Sequence, residues 1–78
     1  MKTVIKGVTS IEEYKMAKDA MEKQVSLAYE RHMSFVKDWP YGKPTKAWFD
    51  NDGNICVEYE SGKWWHYKNL DLPFPTWW

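Results

Sequence analysis

The chain has 78 residues, 44% of them hydrophobic and 18% aromatic, and its eleven basic side chains balance its eleven acidic ones to a formal charge of zero. That length allows one domain with a small core, so stability has to come from dense packing of large rings, each removing roughly 150 to 250 Å² from water when buried. The charge balance also holds by region, with seven basic against six acidic residues over 1–38 and four against five over 39–78, which argues against a phosphate-gripping basic arm and against an acidic mimic of nucleic acid.

Taken in chain order, "KTVIKGV" predicts a first strand over Thr3 to Lys6, closed by Gly7. In "TSIEE", Thr9 with Glu12, or Ser10 with Glu13, has the spacing of a capping box, so a helix is expected from about Ile11. Ile11, Tyr14, Ala17, Met21, Val25, Ala28, His32 and Phe35 then advance by three or four residues and form one apolar stripe. Trp39-Pro40 closes the helix, because a residue before proline is pushed out of helical geometry. Such a helix of about 27 residues is roughly 40 Å long. A domain of this size is only about 30 Å across. The helix must therefore bend or project, and Met16, Ala20, Leu27 and Met33 offer a second apolar strip through which a homodimer could form.

"TKAWFD", "NICVEYE" and "KWWHYK" follow as three strands of an antiparallel meander. "DNDGN" reads as a three-residue hairpin loop with Gly53 in the left-handed position, and Ser61-Gly62 as a two-residue turn. A two-residue turn sets Tyr59 opposite Trp64, Glu58 opposite Trp65, Val57 opposite His66 and Cys56 opposite Tyr67. Ala47, Phe49, Ile55, Val57, Tyr59, Trp64 and His66 then share the face toward the helix. Trp48, Cys56, Glu58, Glu60, Lys63, Trp65 and Tyr67 share the other. The tail "NLDLPFPTWW" cannot be a central strand, since Pro73 and Pro75 each lack an amide donor, and it is expected to run extended with its apolar side chains bracing the sheet. The expected fold class is α+β, in the order β-α-β-β-β, over a single domain of residues 1–78.

Few constellations here carry chemistry. Cys56 is alone, which excludes an internal disulfide and points to a reducing, cytoplasmic home; no run of about eighteen apolar residues suggests a membrane span. Aligning Gly53 with the glycine of a calcium loop puts Trp48 and Tyr59 at ligand positions, so "DNDGN" is a turn. Cys56, His66 and His32 lack the count and the close pairing of a structural zinc site, so no metal and no cofactor is expected. A Cys56–His66 nucleophilic pair, the basis of a third reading as a small hydrolase-like enzyme, needs the two side chains within hydrogen-bond reach, and the two-residue turn places them on opposite faces.

The run "WFDNDGNICVEYESGKWWHY" resembles a hairpin found in short proteins carried by phages and mobile elements of Firmicutes-like bacteria, and the small, neutral, aromatic chain is similar in style to phage-encoded anti-CRISPR proteins. The resemblance implies a non-catalytic inhibitor that binds a host protein or protein complex and supplies no site residues. From the residues themselves, the expected binding set is Trp48, Glu58, Lys63, Trp65 and Tyr67, joined by Trp77 and Trp78 of the tail, because tryptophan and tyrosine are enriched at interface hot spots. The alternative is a single-stranded nucleic-acid binder that stacks bases on the same face.

Overall fold

Local signals in the sequence set the ends of the long helix. In the computed structural model, which describes Met1–Trp78, α1 runs over Ile11–Phe35 and Ser10 is its N-cap, with Ser10 Oγ accepting from the Glu13 amide at 3.1 Å. The Glu13 carboxylate reaches back past the N-cap amide to accept from the Thr9 amide (2.9 Å) and hydroxyl (3.1 Å), so Ser10 and Glu13 cap the helix in a variant of the expected box. The helix stops four residues before Trp39, slightly earlier than Pro40 alone would require.

The remaining elements are β1 (Lys2–Thr3), β2 (Pro44–Phe49), β3 (Ile55–Tyr59), β4 (Trp64–Lys68) and β5 (Thr76–Trp77). They form one five-stranded mixed sheet in sequence order, β1 parallel to β2 and every other pair antiparallel. The expected α+β architecture with an N-terminal strand is therefore present. The tail ends in an edge strand, where its prolines, both outside β5, cost the ladder nothing.

Helix α1 covers one face of this sheet. Met21, Val25, Ala28 and His32 of the predicted stripe are buried there against Ala47, Ile55, Val57, Tyr59 and Tyr67. The two ends of the stripe are not: Ile11 is 74% exposed, and Tyr14 and Phe35 also lie in solvent. The molecule measures 41 × 26 × 19 Å, and its long axis is set by a helix whose first turns overhang the sheet.

The hairpin between β3 and β4 corrects the expected register. The Tyr59 amide donates to the Lys63 carbonyl (2.8 Å) and the Gly62 amide to the Tyr59 carbonyl (2.9 Å), which leaves Glu60, Ser61 and Gly62 as a three-residue loop. The physical reason is in the turn chemistry. A two-residue type I′ turn needs positive φ at both Ser61 and Gly62, and type II′ needs glycine first. The three-residue loop asks for positive φ only at its last position, where Gly62 has φ 91°. The first hairpin has the same construction, with Gly53 at φ 81°.

One residue of slip inverts every side chain of β4. The observed pairs are Ile55 with Tyr67, Cys56 with His66, Val57 with Trp65 and Glu58 with Trp64. Trp65 and Tyr67 face the helix; Trp64 and His66 face away from it.

Candidate functional site

Beneath the helix, rings from the segment after α1, from β4 and from β5 close around one histidine. His32 is 2% exposed, stacked on Trp77 (4.1 Å, 27°) and edge-on to Trp39 and Trp65 (both 4.8 Å). Its Nδ1 lies 2.6 Å from the Tyr67 hydroxyl, which lies 2.8 Å from the Tyr59 hydroxyl, so three polar groups satisfy one another inside the apolar layer. Burial holds the His32 imidazole neutral, down to about 4. Burial likewise pushes the Tyr59 hydroxyl up to about 12 and the Tyr67 hydroxyl above its ordinary range. This arrangement is a sealed core.

The opposite face of the sheet carries no helix and no covering loop. A strip of rings crosses it: Trp48 of β2 lies 5.2 Å from Trp64, Trp64 lies 5.1 Å from His66, and His66 stacks flat on Trp78 at 4.9 Å and 4°. Trp64 and Trp78 are about half exposed. Lys46 lies over Trp48 (5.3 Å) and Lys68 over Trp78 (5.7 Å), so a cation borders the strip at each end. A pocket of about 480 Å³ opens beside Trp48, lined also by Val4, Lys6, Lys46 and Asp50.

The tail supplies Trp78 to this face without covering it. Trp78 exchanges both of its backbone hydrogen bonds with His66 (3.0 and 3.2 Å), so β5 widens the sheet. Because successive residues of a strand point to opposite sides, Trp77 enters the core and Trp78 the open face. Phe74 is largely exposed and Leu72 about half exposed, while the tail backbone is held through the Leu72 and Pro73 carbonyls, which accept from Arg31 Nη2 (2.5 and 2.9 Å).

At the middle of the open face, the inverted register sets Cys56 and His66 side by side, where they were expected to be separated. Cys56 Sγ is 3.3 Å from His66 Nδ1, and the same nitrogen is 2.8 Å from Asp50 Oδ2. Desolvation pushes the Asp50 carboxyl upward but is outweighed by hydrogen bonds from the Asn54 amide, His66, Asn54 Nδ2 and the Asp52 amide, which hold it at about 2. An ionised Asp50 can only accept, so Nδ1 of His66 carries the proton and donates it. Burial, and then the Asp50 charge, raise the Cys56 thiol to about 11. Cys56 is fully buried, and it meets the same ring nitrogen as the carboxylate. A nucleophilic triad instead places its thiol and its carboxylate on opposite nitrogens of the ring.

Of the expected binding set, Trp48, Glu58 and Trp78 lie on the open face, while Lys63 sits exposed at the hairpin. Trp65, Tyr67 and Trp77 belong to the core, contrary to expectation. Trp64 and His66 replace them, and Asp50 joins from the end of β2. The signal that identifies Trp64 is the Ser61-Gly62 pair, whose single glycine fits a three-residue loop better than a two-residue turn. No helix is long and apolar enough to cross a membrane. Comparison with protein-family models, with curated proteins and with solved structures finds no match.

Proposed function

We propose that this chain is a non-catalytic protein-binding module and that the open face of its sheet is the contact surface. The observation that carries this reading is the uncovered ring strip Trp48–Trp64–His66–Trp78 on a sheet whose other face already holds a complete core. Aromatic centres with a mixed polar rim are the anatomy of protein interfaces, and here Lys46, Lys68 and Glu58 form that rim. The phage-like hairpin motif makes a host defence complex the first partner to test, with the chain acting as an inhibitor that occupies its surface.

Single-stranded nucleic acid is the second reading, favoured by the lysines placed over Trp48 and Trp78. It ranks lower because a phosphate backbone crossing the strip must pass the acidic side chains Asp50 and Glu58, and the chain has no excess of positive charge to offset them.

The test is affinity capture from the host with wild-type chain and with a Trp64→Ala/Trp78→Ala variant, read by mass spectrometry. A protein retained by the wild type and lost by the folded variant supports the proposal. Recovery of no such protein, or salt-sensitive retention of single-stranded oligonucleotides on a filter, counts against it.

A further inference from the structure

Asp50, Cys56 and His66 come from three different places, just after β2, near the start of β3 and the middle of β4, yet their ligand atoms lie within 4.8 Å of one another. Each is a donor of a different kind: carboxylate oxygen, thiolate sulfur and imidazole nitrogen. Hydrogen bonding alone does not call for this combination, since the carboxylate already has two amides and a side-chain amide to satisfy it. We propose that these three side chains form a site for a single divalent metal ion of the zinc class, with a fourth position open to water or to a donor from a partner.

The distances fit such an ion after small movements. Tetrahedral zinc has bonds of roughly 2.0 to 2.3 Å to these donors, so its nitrogen and oxygen ligands stand about 3.3 Å apart and its nitrogen and sulfur ligands about 3.6 Å. The corresponding separations here are 2.8 and 3.3 Å. Opening each by about 0.3 to 0.5 Å admits the ion, between oxygen, nitrogen and sulfur atoms that all lie within 4.8 Å of one another.

Support for the ligands is already in place. Asp50 Oδ1 accepts from the Asp52 and Asn54 amides, both at 2.9 Å, and Asn54 Nδ2 donates to Oδ2 at 3.2 Å, which fixes the carboxylate with Oδ2 toward the other two ligands. Stacking on Trp78 and contact with Trp64 fix the plane of the His66 ring. The donor set also selects the metal: calcium and magnesium want oxygen ligands, whereas sulfur with imidazole nitrogen favours zinc and its neighbours in the first transition row. On binding, the ion takes the place of the Cys56 thiol proton, which leaves to solvent. The His66 ring proton moves from Nδ1 to Nε2 so that Nδ1 presents its lone pair. Asp50 binds as the carboxylate it already is.

Cys56 and His66, taken with His32, were expected to hold no metal because they lack the count and the close pairing of a structural zinc site. What that expectation lacked was the cross-strand pairing of Cys56 with His66 and the position of Asp50 at the hairpin entry.

Cobalt titration of the full chain, kept reduced, provides the test, since cobalt in a tetrahedral site with a thiolate ligand absorbs strongly by sulfur-to-metal charge transfer. The expected result is a charge-transfer band that saturates at a single equivalent, is discharged by zinc, and is accompanied by a rise in melting temperature. Cys56→Ser should lose the band. Asp50→Asn and His66→Gln should weaken binding more than roughly tenfold, and Asn54→Ala, which removes only a support of the carboxylate, about tenfold. Cys56 is buried, so Cys56→Ser can fail to fold; the part-exposed His66→Gln variant, checked by circular dichroism without metal, keeps the test decisive. A wild-type chain that gives no charge-transfer band overturns the proposal. So does a band of equal strength in His66→Gln and Asp50→Asn, which means a thiol binding metal by itself.

Discussion

The two faces of the sheet are built from the same kinds of residue and end in opposite states. On the helix side, Trp39, Trp65, Tyr67 and Trp77 surround His32 and leave it almost no exposure. On the other side, Trp48, Trp64 and Trp78 line up around His66, with Trp64 and Trp78 about half exposed. Composition therefore does not distinguish core from surface in this chain. Strand register does, and the adjacent pair Trp64-Trp65 shows it within two residues: one ring is half exposed, the other is packed between Tyr41, Tyr59 and His32.

The sharpest way to break the comparison is to truncate those two neighbours separately. Trp65 is partly buried against the core, so Trp65→Ala should destabilise the fold by about 2 to 3 kcal/mol, somewhat less than truncation of a fully buried ring. Trp64→Ala should cost under about 0.5 kcal/mol and act on partner capture instead. Chemical denaturation of the two variants measures the difference, and equal losses would mean that the faces are not distinct.

Acid separates the faces next, through His32. Its folded form stays neutral down to about 4, whereas in the unfolded chain it takes up a proton near 6.5. Stability is therefore fully present above pH 6.5 and is lost as pH falls from there toward 4. A gap of that size corresponds to about 3 kcal/mol. Denaturation midpoints at pH 7 and pH 4.5, for the wild type and for His32→Gln, should show a slope in the former that is absent from the latter.

A smaller effect is expected at the hydroxyl that joins the polar chain. Tyr67→Phe leaves His32 Nδ1 and the Tyr59 hydroxyl without their partner, at a cost of about 1 to 3 kcal/mol, and should leave the open face and its binding unchanged. The smallest expected loss of fold stability among the disruptive changes is at the loop that fixes the register. Gly62 has φ 91° with no atom within 4 Å of an added Cβ, so Gly62→Ala should cost only the left-handed backbone strain, about 1 to 2 kcal/mol. Melting temperatures of the two variants order these effects.

Much of this fold was legible in the sequence because it rests on local signals. The Ser10–Glu13 box fixed the helix start, Gly53 fixed the first hairpin, and the prolines of the tail kept it off the sheet interior. The candidate site was only half legible, since its membership depends on which way β4 faces, and a single residue in the loop reverses that. The pairing of Asp50, Cys56 and His66 was hidden for the same reason. Residues with no conspicuous spacing in sequence meet only once both hairpins are set in register.

The overhang of the long helix gives its two halves different lifetimes in water. Residues 11–20 contribute no fully buried side chain and are held by the Ser10 cap and by exposed ion pairs, Lys23–Asp19 at 3.2 Å among them, whereas Met21, Val25, Ala28 and His32 tie the second half to the sheet. Isolated helices this short are marginal. In deuterated solvent the amides of the first three turns should exchange by local fraying, and those around Val25 to His32 only when the whole domain opens. One continuous rod should thus behave as two segments in time, a permanent one that belongs to the core and a transient one that unwinds and reforms without disturbing it.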